Sequence, residues 1–276
     1  MPRPKKYYRF IHNGKQIKAA RVSSILSYCN RMEDSQGYIN WVERQGGEKK
    51  AKKHTMARAR SGSRVHKSLE LFYENPDKYV EYSMALCDED KKYLNSYKDL
   101  LYNYKQIYSE LEIHYFKNGR AFGGVFDSYG YLNPHNVYTD KACTNKFYLE
   151  NPLMLTDYKT KERQPKEILY VLKHCLQLGA YALGLEQTKG VVAENIAIFS
   201  ASPRQLNIYY ADKPKVEFYK QEFLNCLESY ITKTPHDWKA LEQKSGAEWN
   251  KDWNRMVYAK DNLLPIRLYI KAPIEF

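Results

Sequence analysis

The chain has 276 residues, 43% of them hydrophobic, and a formal net charge of +12. That composition is enough to bury a core and excludes a disordered tail; with no run of about 18 apolar residues, a membrane-spanning helix is excluded too. Five scattered cysteines, Cys29, Cys87, Cys143, Cys175 and Cys226, are odd in number and lack C-x-x-C spacing, which argues against a disulfide framework and against a zinc or iron–sulfur site, and for a reducing, intracellular compartment.

The first six residues, Met1-Pro2-Arg3-Pro4-Lys5-Lys6, are basic with no apolar segment behind them, so no secretory signal is expected. Residues 7–21 read as a short hairpin turning at His12-Asn13-Gly14-Lys15. Ser23-Ser24 then caps a helix carrying Ile25, Leu26 and Tyr28. Charge is uneven: residues 1–67 hold 17 Lys/Arg against 4 Asp/Glu, a net of +13, and the remainder nets −1. The densest part is Lys49-Lys50-Ala51-Lys52-Lys53-His54, followed by Arg58, Arg60, Arg64 and Lys67. Such a run is commonly a solvated helix face or arm. Its functional reading is a polyanion-binding surface, and 26 tyrosines suit stacking on unpaired bases.

A second helix is expected from Ser61-Gly62-Ser63 to Asn75-Pro76, with Val65, Leu69 and Phe72 at helical spacing. A third fits 88–108, with Tyr93, Tyr97, Leu100, Leu101, Tyr104 and Ile107 on one stripe. Then the pattern changes. Residues 111–116 read as a strand, Asn118-Gly119 as a turn, and 121–132 as a second strand. Residues 133–152 read as a loop insertion and Leu153–Thr160 as a third strand. A helix is expected at roughly 166–185, with Ile168, Leu169, Leu172, Leu176, Ala180 and Leu183 apolar. Strands over 195–200 and 205–211 and a helix at about 216–232 follow. The tail, 234–276, with Trp238, Trp249 and Trp253, reads as a weakly defined helical appendage. The order gives an α/β fold with a mixed β-sheet flanked by helices, behind a helical N-terminal region. The chain divides into a basic N-terminal region (1–108), a core (109–233) and an appendage (234–276), expected to form one structural domain overall.

Asp157 and Lys159 lie two residues apart on a predicted strand, so both side chains share a face. Asp127 is on the neighbouring strand, behind Gly123-Gly124, whose small size suits close approach of a substrate backbone. Two carboxylates and a lysine are the hard-oxygen ligands and the cation that magnesium-assisted phosphodiester cleavage requires. Asp-x-Lys alone is weak: Asp90-Lys91-Lys92 repeats the spacing, where a solvated helix start is expected. Gln177 and Tyr181 share a helix face, four residues apart. His66, within Gly62-Ser63-Arg64-Val65-His66-Lys67, offers an imidazole to a second cation.

Together these residues resemble the RecB-like exonuclease branch of the PD-(D/E)XK (restriction-endonuclease-like) nucleases. That branch orders a helical Gly-x-x-x-His, a Gly-x-x-Asp strand, an Asp-x-Lys strand and a Gln-x-x-x-Tyr helix. Here they stand as Gly62…His66, Gly124-Val125-Phe126-Asp127, Asp157-Tyr158-Lys159-Thr160 and Gln177-Leu178-Gly179-Ala180-Tyr181, over roughly residues 20–200. Thr156–Glu162 and Arg21-Val22-Ser23-Ser24-Ile25-Leu26 look most like the mitochondrial genome maintenance exonuclease group and its phage-type relatives. The 133–152 insertion makes the Asp127–Asp157 interval longer than the compact hairpin usual there. Asp140 is the competing acidic residue and Glu112 a further one.

The resemblance implies a PD-(D/E)XK core and a Mg2+- or Mn2+-dependent exonuclease acting on single-stranded DNA from a free end. Its setting would be DNA replication, repair or recombination, with proteins of those processes as partners. Asp127, Asp157 and the Tyr158 carbonyl would hold one ion and His66 a second, with Lys159, Gln177 and Tyr181 completing the catalytic set. Ser23, Ser24 and the basic residues Lys52, Lys53, Arg58, Arg60 and Arg64 would line the DNA path. No iron–sulfur cluster is expected. A double-strand exonuclease, a structure-specific endonuclease and a non-catalytic DNA-binding protein are the competing readings.

Overall fold

The computed structural model describes residues 7–29, 36–162, 164, 171–250, 255–258 and 262–271. Strands β1 (Tyr8–His12) and β2 (Lys15–Arg21) form the expected hairpin and lead into helix α1 (Val22–Cys29). Ser23 and Ser24 therefore lie inside the first turn of α1, both exposed. Four helices follow: α2 (Gln36–Arg44), α3 (Glu48–Glu74), α4 (Pro76–Met84) and α5 (Asp88–Ser96), then a short α6 (Lys98–Asn103).

Next come β3 (Tyr104–Lys117), β4 (Arg120–Leu132), the two-residue β5 (Val137–Tyr138), β6 (Leu153–Thr160) and α7 (Leu172–Lys189). Beyond them lie β7 (Ile196–Ser202), β8 (Gln205–Ala211), α8 (Lys213–Thr232), α9 (Trp238–Lys244), β9 (Ala247–Asn250), β10 (Arg255–Tyr258) and β11 (Ile266–Ile270). Asn118 and Gly119 turn β3 into β4 with φ of 50° and 77°, the paired left-handed conformation of a tight hairpin.

The main sheet is mixed, in the order β1-β2-β4-β6-β7-β8-β11-β5, with β3 antiparallel on β4. Helices pack on both faces. On one, α1, α7 and α8 bury Ile25, Leu176 and Phe223 against Phe122, Phe126 and Ile198. On the other, α3 and α5 bury Val65, Leu69 and Tyr93 against Tyr158, Phe199 and Ile208. Among the described residues no helix is long and apolar enough to cross a membrane.

Several elements differ from the sequence reading, among them α2, α4 and β5, the last inside the expected 133–152 loop. Helix α3 begins at Glu48, so the basic run is part of one 27-residue helix; its first half buries only Ala51 and carries no apolar periodicity to read. The helix expected over 88–108 ends at Asn103, and Tyr104 and Ile107 belong to β3. The described part of the helix expected at 166–185 starts at Leu172; Ile168 and Leu169 lie outside the described residues, as does Trp253. Among the described residues the tail is helical only over α9: β11 pairs antiparallel with β8 and extends the sheet, its Leu268 and Ile270 alternating into the core.

Candidate active site

The site forms where the sheet forks. One edge of β4 pairs with β3 along its length. The other edge pairs first with β2, through Ala20–Phe122 and Arg21–Gly123, and later with β6, from Ser128–Thr156 to Tyr131–Leu153. The residues between, Gly124 to Asp127, pair with neither, and one further step of the β4–β6 ladder would set Asp127 opposite Asp157. The side chain of Asp127 takes over instead, its Oδ2 accepting a hydrogen bond from the Tyr158 backbone N–H at 2.7 Å.

Local irregularity aims that side chain. Phe122 and Phe126 face the α7 side of the sheet, and so does Tyr129, three residues on. The two-residue alternation of β4 thus breaks at Asp127. Opposite it on β3, Glu110 has φ 44° and falls between the paired residues Ser109–Ser128 and Leu111–Phe126.

Asp157 is 1% exposed on β6. The Lys159 ammonium lies 2.5 Å from its Oδ2 as an ion pair, but that oxygen has no hydrogen bond of regular geometry. Burial, opposed by Lys159 and reinforced by Asp127, raises the Asp157 carboxyl to about 6. Burial also raises Asp127. For Lys159 burial works downward, but the two carboxylates prevail and hold its ammonium above the usual range. On α3, His66 places Nδ1 3.6 Å from Asp127 Oδ2. Burial and then Lys159 push its imidazole down to about 4, so it is neutral at neutral pH, while a hydrogen bond to the Tyr158 backbone works the other way. A buried and a partly buried carboxylate with one ammonium leave an excess of negative charge beside a neutral imidazole. That donor set fits a hard divalent cation.

Helix α7 closes the α7 side. Gln177 Nε2 donates to the Tyr181 hydroxyl at 2.9 Å. The buried Tyr181 ring covers Gly124, and Tyr8 covers Gly123. The two glycines therefore admit aromatic rings from within the protein, and not a substrate backbone as their size suggested. Gly62 brings α3 against the end of β6, where a Cβ would meet Thr160 Oγ1 at 3.1 Å.

Asp140 is remote in role: its carboxylate accepts the backbone N–H of Asn145 at 2.6 Å and of Thr144, organising the exposed 140–145 turn. Glu112 sits opposite Val125. The acidic residue that sequence reasoning missed is Glu110, raised to about 7 by partial burial and then by Asp127 and Glu70, although its residue surface is exposed. Its signal was invisible without the β3–β4 register. Also missed were Lys161 and His174, both lowered by burial and then by Lys159, which place further nitrogen groups next to the lysine. His174 Nε2 is 3.5 Å from Lys161 Nζ.

The basic residues of α3 divide. Arg58 pairs with Glu89 at 2.8 Å and also donates to the Tyr93 hydroxyl. Arg64 Nε lies 2.5 Å from Asp90, which also accepts from Ser61. Asp90, expected to be solvated, is fully buried and clamps α5 onto α3. Lys52, Lys53 and Arg60 are exposed. Lys52 precedes His66 by 14 residues, close to four turns of helix, so it lies on the His66 side of α3 about 20 Å along the axis.

No protein-family profile and no curated protein matches the chain. The four motifs fall, in order, on α3, β4, β6 and α7.

Proposed function

We propose that the protein is a Mg2+- or Mn2+-dependent deoxyribonuclease with a PD-(D/E)XK core, acting as an exonuclease on single-stranded DNA from a free end. The observation that carries this reading is the convergence of the buried Asp157 and the partly buried Asp127 at the sheet fork, with Lys159 and a neutral His66 against them. Asp127, Asp157 and the Tyr158 carbonyl would hold one ion, and His66 would help hold a second. A bound ion supplies Lewis-acid polarisation of the scissile phosphate and a lowered pKa for water.

The chain's own groups do the rest. Lys159, kept cationic by both carboxylates, orients the attacking water and offsets charge that builds on the phosphate oxygens. Water adds to phosphorus and gives up a proton to solvent, the bridging P–O bond breaks, and the leaving oxygen takes a proton from solvent or a nearby donor. Gln177, which donates to Tyr181, would contact the strand or the water. Lys52, Lys53 and Arg60 offer phosphate contacts on the arm of α3, and Ser23 and Ser24 present hydroxyls on α1. Replication, repair or recombination is the proposed setting.

The test is digestion of end-labelled single-stranded, double-stranded and circular DNA with magnesium or EDTA, wild type beside Lys159→Ala. Metal-dependent loss of linear single strands, spared circles and an inactive variant are expected. Cut circles would make it an endonuclease, and binding with no cleavage under any metal would overturn the enzymatic reading.

A further inference from the structure

A second cluster of ligating side chains lies on α1, α8 and the segment between α8 and α9. Cys29 is the last residue of α1, Cys226 lies within α8, and His236 precedes α9. The Cys29 and Cys226 sulfurs and a His236 ring nitrogen all lie within 4.8 Å of one another. Both cysteines are free thiols and buried, at 4% and 0% exposure. Cys226 Sγ is 3.6 Å from His236 Nε2. Bond lengths of roughly 2.3 Å to sulfur and 2.0 Å to nitrogen at a tetrahedral angle put those two atoms about 3.6 Å apart across a zinc ion.

We propose that Cys29, Cys226 and His236 bind a zinc ion that clips α1 and the segment before α9 to α8. Two thiolates and an imidazole are the soft-to-borderline donors that zinc takes in preference to magnesium. A water would take the fourth tetrahedral position. The clip would join residues near both ends of the described chain, 197 positions apart in sequence, so its ion closes a long loop. It is independent of the carboxylate site, whose oxygen donors suit a different class of ion.

The experiment measures zinc content of the full chain purified from zinc-supplemented growth, then titrates cobalt(II) into the metal-stripped chain and reads the thiolate-to-metal charge-transfer band. One zinc per chain and a strong band are expected. Both should persist in Asp157→Asn, which alters only the carboxylate site, and vanish in His236→Ala and Cys226→Ser. If Cys226→Ser fails to fold, the wild-type band and the His236→Ala loss decide the matter. Absence of the band from wild type, retention of zinc by both variants, or recovery of a Cys29–Cys226 disulfide from protein kept under reducing conditions would each overturn the proposal.

Discussion

The Tyr181 ring lies against Gly124 so closely that a Cβ at residue 124 would come within 2.6 Å of Tyr181 Cε1. The glycine of the β4 motif and the tyrosine of the α7 motif are thus two halves of one contact. Through Tyr181 that contact also sets Gln177, whose amide donates to the Tyr181 hydroxyl. Gly124→Ala should push the ring aside, because a packed interior has no room for an added methyl. A loss of roughly 1–3 kcal/mol of stability is expected, together with a fall in DNA hydrolysis larger than that of Tyr181→Phe. Thermal unfolding and kcat/KM for the pair would show it; an unchanged melting temperature in Gly124→Ala would contradict the packing.

Lys159→Ala should remove roughly a thousandfold of the rate, the scale of losing one preorganised cationic donor. It should leave the fold intact and the binding of a labelled single strand nearly unchanged. Lys159→Arg keeps the charge but not the shape of the group, and should recover only part of the rate. Single-turnover digestion beside a binding titration separates the two effects. A variant that loses binding and rate equally would make Lys159 a substrate-binding group and not one acting in the transition state.

The basic residues of α3 predict a split outcome. Lys52→Glu, Lys53→Glu and Arg60→Glu should weaken single-strand binding and flatten its salt dependence, by about 0.7 in the log–log slope for each phosphate no longer neutralised. Arg64→Ala should act otherwise, because its partner Asp90 is fully buried and also holds Ser61. Removing the guanidinium leaves a buried carboxylate short of a donor and should cost about 2 kcal/mol of stability. Salt-dependent binding isotherms and chemical denaturation of the four variants separate the groups. Equal loss of stability in all four would place Lys52, Lys53 and Arg60 in the structure and not in binding.

What could be read from the chain was what local pattern encodes. Leu153–Thr160 stands as a strand with the bounds expected, because an apolar approach and period-two placement of Asp157 and Lys159 are both local signals. Asn13-Gly14 and Asn118-Gly119 announce their hairpins in the same way. The rest depends on distant partners. Tyr104 continues the aromatic stripe of the preceding helices, yet its place is fixed by Ser128 and Thr156, whose hydroxyls its own meets. Glu110 enters the site only through the β3–β4 register. Cys29, Cys226 and His236 share no spacing that a zinc pattern would reveal, so the cysteine count argued against the cluster that the fold assembles.

Asp157 makes stability depend on pH in a way that a bound ion should reverse. Its carboxyl is raised from an ordinary 3.8 to about 6, chiefly by burial. The folded chain therefore holds that proton more tightly than the unfolded chain does. Stability linked to it is present below about 4 and is lost as pH rises through 6. A rise of that size corresponds to at most ~3 kcal/mol. In EDTA, Asp157→Asn should thus gain on wild type steadily between pH 4 and pH 6, since the amide carries no charge to bury. With magnesium or manganese the ionised carboxylate is the form that binds, so added ion should raise the melting temperature of wild type above pH 6 and leave Asp157→Asn unmoved. Melting curves of both proteins across that window, with and without metal, provide the measurement. A wild-type advantage that grows with pH in EDTA would mean that Lys159 more than offsets the burial of its partner, and that the site is balanced without a cation.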